Sequence, residues 1–430
     1  MKHFYWEEYE QKFIKIFKRL ADFNFKGKAR LFMKFPYKRI VKEITMANYL
    51  IEKINISGFR KLNSTRLTMK PLMVLIGANG VGKTSFLDAL ILLSASAAGK
   101  LGSTLSQWGG ITSILSRDKK QDISLSVDMK IPNQNPLTYN LSIGPDNTGY
   151  TILKEELSQF QGQGYANPIK HISSSQHSIS YYDTTQKRLS KPTWEHNYLE
   201  TSLSQTPRMY REPEEIRRIL AKTDKYHVLD VSSRAPVKLP QEMKPAFLPG
   251  KDGEDLIPFL YYLRESDPDR FETITDTLKT AFHDFENLNF PPVAAGMLTM
   301  TWQEKNYKKP FYMHELSEGT LRFLWLVSLL SSPKLSTITM IDEPEVSLHP
   351  ELLSLLVDVM RETSRRTQLV VATHSDRLVR FLRPEEVVVM DVDEEGAANA
   401  TWADQMDLDS WLLDYSLDEV WQMGRMGGRA

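Results

Sequence analysis

The stretch LMVLIGANGVGKTS, residues 72–85, decides how the rest of this chain is read. Five apolar residues (Leu72, Met73, Val74, Leu75 and Ile76) run directly into Gly77, Ala78, Asn79, Gly80, Val81, Gly82, Lys83, Thr84 and Ser85. The second part matches G-x-x-x-x-G-K-[ST]. A buried strand aims such a loop, and Gly77, Gly80 and Gly82 let backbone N–H groups curl around phosphate oxygens. A helix is predicted over residues 83–98, with Phe86, Leu87, Leu90 and Leu93 on its apolar face. Its positive N-terminal end faces the same anion. The pattern gives Lys83 the β- and γ-phosphates and gives the Thr84 hydroxyl a Mg²⁺ ion. A glycine-rich turn of no chemical interest is the alternative, and the register of GKT between strand and helix speaks against it. A nucleoside triphosphate site is expected.

Composition bounds the rest. The 430 residues allow two domains, or one domain with a large insertion. Hydrophobic content of 41% and charged content of 25% are those of an ordinary globular protein. The 54 basic and 54 acidic residues cancel, so bulk charge gives no hint of nucleic acid. No cysteine is present, which excludes disulfides, Fe–S clusters and thiolate zinc sites. No apolar run reaches the length of a secretory core or a membrane span. The expected location is the cytoplasm, with no membrane partner.

Residues 1–46 carry twelve Lys/Arg against five Asp/Glu, and Trp6, Tyr9, Phe13, Phe17 and Leu20 follow helical spacing. A basic amphipathic helix binds nucleic acid, a membrane surface or a partner helix; packing on its own domain, or an extension upstream of a core beginning near Met46, is favoured here. Strand-like patterns follow at residues 50–56 and 64–69, then short alternating segments at 123–129 and 137–143. Residues 171–205 are polar and resist assignment. Helical patterning returns at 213–222, 255–265 and 268–285, and strand patterning at 297–303. The expected division is an extension at 1–46, a P-loop lobe with a β subdomain at 47–165, a polar and helical insertion at 166–295, and a second lobe at 296–430. The fold class is α/β: a mixed sheet carrying the P-loop, an antiparallel β lobe and a helical insertion.

Three further motifs bear on chemistry. Residues 336–345, STITMIDEPE, form an apolar strand ending in Asp342 and Glu343. The first acid suits a Mg²⁺ shell, and the second suits orienting and deprotonating an attacking water. Residues 369–376, LVVATHSD, form another buried strand ending at His374. A helix separates the two, so both strand ends open on one edge and His374 reaches the γ-phosphate. Ser317, Glu318, Gly319 and Thr320 precede a strongly apolar helix. Ser317 reads as a simple N-cap or as a phosphate-binding helix terminus, and spacing alone leaves both open.

With GANGVGKTS, LSEGT, MIDEPE, VSLHP and ATHS in this order, the chain resembles the ABC-type ATPases. The resemblance is nearest to their Rad50/SMC/RecF/OLD-like branch and to stand-alone ATPases of bacterial antiphage and genome-maintenance systems. It covers residues 51–376 in outline, and INISGFRKL near the start adds to it. The resemblance implies ATP and Mg²⁺ as ligands and a head-to-tail homodimer that sandwiches two ATP molecules. It places Lys83, Thr84, Asp342, Glu343 and His374 in one subunit's site, with Ser317 and Gly319 reaching the ATP of the other. It also implies phosphate contacts for Arg60 and a place at the dimer seam for Ser347 and Leu348.

The chain departs from that family in places. LSEGT stands where LSGGQ is usual. The glutamine that would join Thr84 and Asp342 at the metal has no clear counterpart, and Gln107, before Trp108, is the choice made. No coiled-coil heptads lie between the P-loop and LSEGT, which argues against a tethering arm. The 56 residues after His374 are too few for the Toprim nuclease domain of OLD proteins. Asp391, Asp393, Glu394 and Glu395 read as a solvated acidic loop rather than a metal cluster. The acidic tail with Trp402, Trp411 and Trp421 reads equally as a docking surface or as a cap on its own domain. The expected function is an ATP-hydrolysing dimeric switch that controls a partner or acts on DNA, in antiphage defence. The alternatives are a repair or recombination ATPase, and an ATP-sensing scaffold for a separately encoded nuclease.

Overall fold

The computed structural model describes residues 50–117, 121–132, 134–147, 149–162, 167–176, 178–183, 186–394 and 396–427. The basic aromatic segment expected at residues 1–46 lies outside the described residues.

A six-stranded sheet sits at the centre, in the order Thr223–Tyr226, Ile338–Asp342, Gln368–Ala372, Leu72–Ile76, Val387–Val392, Ala398–Trp402. The first five strands are parallel and the last is antiparallel. We call Thr223–Tyr226 the edge strand, Ile338–Asp342 the carboxylate strand, Gln368–Ala372 the histidine strand and Leu72–Ile76 the P-loop strand. All five residues of the P-loop strand are buried, because parallel strands are covered on both faces.

Strand periodicity divides these side chains between two cores. Leu72, Val74, Ile76, Ile341, Leu369 and Val371 face helices Leu256–Ser266, Pro268–Ala281, Glu318–Leu330 and Pro350–Thr363. Met73, Leu75, Met340, Val370 and Met390 face the other way, toward helix Lys83–Ala97 and a second sheet. The result is a layered α/β unit with the P-loop strand between two hydrophobic layers.

The second sheet has eight antiparallel strands, in the order Thr65–Thr68, Leu50–Ser57, Ile123–Lys130, Leu137–Asp146, Gly149–Gln159, Ile169–Ser175, Ser178–Asp183, Arg188–Ser190. Burial alternates along Ile123–Lys130, as expected for a sheet with one face on the core. The two sheets are fastened by Gln368. Its side-chain oxygen accepts from Ile51 N and its side-chain nitrogen donates to Ile51 O, both at 2.9 Å.

Two strand pairings cross the expected divisions. The boundary placed between residues 165 and 166 falls inside the antiparallel sheet, since Ile169–Ser175 pairs with Gly149–Gln159. These strands are rich in Ser, His and Tyr, and their alternation is too polar to stand out in the sequence. The edge strand also lies within the supposed insertion, yet it pairs with the carboxylate strand. Helices follow from Ser202–Gln205 onward.

The acidic aromatic tail caps the domain. Leu408, Leu417, Val420, Trp421 and Met426 are buried in the core that holds the helix Glu318–Leu330, and the Trp402 indole donates to Thr68 O. Leu413, Tyr415 and Met423 are the tail's exposed large hydrophobic side chains among the described residues.

Candidate nucleotide site

The loop after the P-loop strand turns back on itself. Gly77 has a φ of 142°, and a Cβ there would lie 2.2 Å from the Met390 carbonyl oxygen, so only glycine fits. Lys83 opens helix Lys83–Ala97, and its side chain folds back over the loop. Its ammonium donates to Gly77 O at 2.5 Å and Ala78 O at 2.9 Å, and it lies 3.2 Å from His374 Nδ1. Burial pulls the Lys83 ammonium down to about 8, against the opposing charges of Glu343, Asp342 and Glu345.

His374 follows the histidine strand, and its Nε2 is 3.7 Å from Glu343 Oε1. Burial, and then the Lys83 charge, hold the imidazole below its ordinary value. Glu345 steadies this corner: one oxygen accepts from the Thr373 hydroxyl at 2.5 Å and from His374 N at 3.3 Å. Its other oxygen is buried and finds no partner among the described residues. Burial raises the Glu345 carboxyl above the usual range, and the hydrogen bonds oppose that shift.

Beside the loop lies a cleft of about 580 Å³, within the range of small-ligand sites. Gly80, Gly82, Lys83, Thr84, Ser85 and His374 line it together with Arg60, Lys61, Asn63, Ser113, Ser116 and Arg117. Four cations and no carboxylate among these residues suit a polyanion. The guanidinium carbon of Arg60 lies 5.3 and 5.5 Å from the ring centroids of Phe59 and Trp108, which are themselves 6.2 Å apart. Of the five non-glycine residues with positive φ among those described, Arg60 and Glu343 belong to the predicted site and Ser347 to the predicted dimer seam, while Lys187 and Ala295 lie elsewhere. Such conformations gather where function constrains the backbone.

The expected residues therefore separate into three groups. The loop glycines Gly80 and Gly82, with Lys83, Thr84, Ser85, Arg60 and His374, share one cleft. Asp342 and Glu343 flank it at the end of the carboxylate strand and act on Lys83 through charge. Ser317 and Gly319 do not line it. Ser317 Oγ accepts from Thr320 N at 3.1 Å, so within one chain it is the N-cap of helix Glu318–Leu330. A Cβ on Gly319 would lie 2.6 Å from Ser347 O. Arg322, one helical turn on, donates to Ser347 Oγ. Gln107 is exposed at the end of helix Leu101–Gln107 and does not line the cleft; its neighbour Trp108 is the residue of that segment that touches Arg60.

Sequence reasoning missed Lys61, Asn63, Ser113, Ser116 and Arg117. Lys61 follows Arg60 directly and could have been paired with it; residues 113–117 match no motif and arrive by tertiary folding. Among the described residues no three His, Cys, Asp or Glu side chains could together hold a metal. Asp391, Asp393 and Glu394 therefore form no metal cluster; Glu395 is outside the described residues. Mg²⁺ needs no such cluster, because it keeps waters and takes phosphate oxygens with one or two protein ligands. The Thr84 hydroxyl and the Asp342 carboxylate supply the hard oxygens such an ion takes, and in that sense they fit it.

The family model described as "AAA domain, putative AbiEii toxin, Type IV TA system" matches residues 72–380. That span runs from the P-loop strand to beyond His374 and covers well over half of the chain. The chain belongs to the AAA_21 family. Arg60, Lys61 and the tail tryptophans lie outside the AAA_21 match.

No curated protein sequence matches the chain significantly. Among solved structures, the SMC head bound to the C-winged helix domain of ScpA is similar over 82% of this chain and 97% of that one, at 13% identity and a TM-score of 0.52. The SMC head domain from Thermotoga maritima aligns over 82% of this chain and 98% of that one, at 11% identity and a TM-score of 0.42. An SMC head with an extended coiled coil, bound to the C-terminal domain of ScpA derived from Pyrococcus furiosus, aligns over 87% and 98% at 10% identity, with a TM-score of 0.47. The first of these shows an SMC-head-like P-loop ATPase fold for the AAA_21 chain. No helix among the described residues is long and apolar enough to cross a membrane.

Proposed function

We propose that this AAA_21 protein is an ATP-hydrolysing switch that works as a head-to-tail dimer. The observation that carries the reading is the meeting of Lys83 and His374 in one cationic cleft with Glu343 3.7 Å from His374 beside it, while Ser317 and Gly319 sit outside that cleft on a separate helix terminus. A second subunit would bring its own Ser317 terminus to the open side of the cleft, where N–H groups and a hydroxyl meet phosphate.

In this reading the loop glycines and Lys83 hold the β- and γ-phosphates, and Arg60, Lys61 and Arg117 neutralise the remaining charge. Bound Mg²⁺ would offset charge on the phosphate oxygens. Glu343 accepts a proton from the water whose oxygen attacks the γ-phosphorus, as the bond to the β-phosphate oxygen breaks and ADP leaves. His374, kept neutral, orients that water or the γ-phosphate by donating from Nε2. Closure with ATP and opening after hydrolysis would be transmitted to a separately encoded effector, and a role in antiphage defence is in keeping with the toxin–antitoxin wording of the family description.

ATP turnover of the purified protein and its Glu343→Gln variant, each with and without double-stranded DNA, tests this. Loss of about 10²–10⁴ in turnover with ATP binding retained is expected for the variant. Full hydrolysis by Glu343→Gln would remove the role given to that carboxylate. DNA-stimulated turnover with steep salt dependence would favour direct action on DNA over an effector.

A further inference from the structure

Behind the cleft, Arg60 and Asp342 are joined by a row of alternating charges through Asp88 and Lys225, two residues that the reading above does not use. The Arg60 guanidinium lies 2.5 Å from one oxygen of Asp88, on the P-loop helix. The Lys225 ammonium lies 3.0 Å from the other oxygen of Asp88 and 3.5 Å from Asp342 Oδ2. Lys225 belongs to the edge strand and its side chain is 9% exposed. His227, two residues on, reaches to 3.9 Å from the same Asp342 oxygen.

Lysine is almost never buried unless paired, and Asp88 alone would supply a pair. Here the ammonium is shared with the carboxylate expected to face Mg²⁺. A unit positive charge so close to Asp342 repels a divalent cation and offsets part of the charge that would attract it. The far end of the row, Arg60, lines the cleft. An anion there competes with Asp88 for the guanidinium. As Arg60 turns to the anion, Asp88 keeps only Lys225 and draws the ammonium from Asp342.

We infer that Lys225 is a positioning residue that occupies Asp342 in the empty site and yields it when a phosphate draws Arg60 from Asp88, so that nucleotide binding admits the metal. The inference rests on the nucleotide site proposed above. It adds a coupling between nucleotide and metal that passes through protein charges rather than through phosphate oxygens alone.

The test is calorimetry on the full chain with a non-hydrolysable ATP analogue, with Mg²⁺ and with EDTA. The ratio of the two affinities reads the coupling. Asp88→Asn leaves Lys225 on Asp342 even with the nucleotide bound and should lower that ratio by about tenfold. Lys225→Met empties Asp342 in both states: alone it should not lower the ratio, and added to Asp88→Asn it should restore it. A loss in Asp88→Asn that Lys225→Met restores supports the inference. An unchanged ratio in Asp88→Asn, or a loss that Lys225→Met does not restore, overturns it, because a merely structural tether would be weakened further by loss of its other end. If the Lys225→Met chains do not fold, the Asp88→Asn ratio decides alone: lowered supports, unchanged or raised overturns. Failure of the nucleotide reading is separate: the wild-type protein then binds the analogue under neither condition.

Discussion

The Lys83 ammonium lies 3.2 Å from Nδ1 of His374. An ammonium has only hydrogens to give, so Nδ1 accepts and the imidazole proton rests on Nε2. That nitrogen is the one 3.7 Å from Glu343. Lys83 thus sets the tautomer of the histidine, and the histidine turns a donor toward the proposed base.

The first prediction concerns pH. Lys83 is held at about 8 in the empty site. Phosphate oxygens favour its charged form and raise that value on binding. Below pH 8 the lysine is already charged and binding takes up no proton at this group; above it, binding takes up a proton and affinity falls as pH rises. Calorimetry just above that pH, in two buffers of different ionisation heat, should show the uptake. Equal apparent heats would mean that Lys83 does not meet the phosphates.

A complementation experiment checks the dimer. Lys83→Ala removes a residue of the cleft's own chain, and Ser317→Arg blocks the helix terminus that would serve the partner. Each variant alone should be inactive. Mixed in equal amounts, they form heterodimers with one intact site, and turnover should recover to about a quarter of wild type. A mixture as inactive as its components would count against a shared site.

Gly77→Ala should be far more damaging than its size suggests. The added methyl meets the Met390 carbonyl at 2.2 Å, and the atom in the way is backbone. The loop must move, at a cost of about 1–3 kcal/mol. Chemical denaturation reads that loss, and ATP-analogue binding should disappear with it.

Glu345 gives a cleaner contrast. Glu345→Ala leaves the Thr373 hydroxyl and the His374 N–H without their acceptor, a loss of about 1–3 kcal/mol. Because the imidazole is then released, kcat should fall more than KM rises. Glu345→Gln keeps one acceptor oxygen and should recover most of both. Equal damage from the two would indicate that the charge, rather than the hydrogen bonds, matters.

How much of this was legible in the sequence follows from range. The P-loop, DEPE and ATHS stretches each carry their chemistry within a few residues, at the end of an apolar strand. They were readable because strand end and side chain are adjacent in the chain. Lys225 was not, since its meaning depends on the edge strand lying beside the carboxylate strand, 112 positions away at the Asp224–Ser336 contact. Arg117 and Ser113 likewise reach the cleft only through folding. Strands 169–190 hid behind polar, half-exposed residues whose alternation is weak. The tail tryptophans could be read as docking or as capping, and only the burial of Trp402 and Trp421 separates these.

The amide of Gln368 stands in for one rung of backbone pairing to Ile51. Sliding the antiparallel sheet past the histidine strand would strand a donor and an acceptor in a dry interior, each costing about 1–3 kcal/mol. The joint therefore resists shear. The eight-stranded sheet is thus pinned at the start of the strand that leads to His374, and the two sheets cannot slide apart there without breaking both bonds.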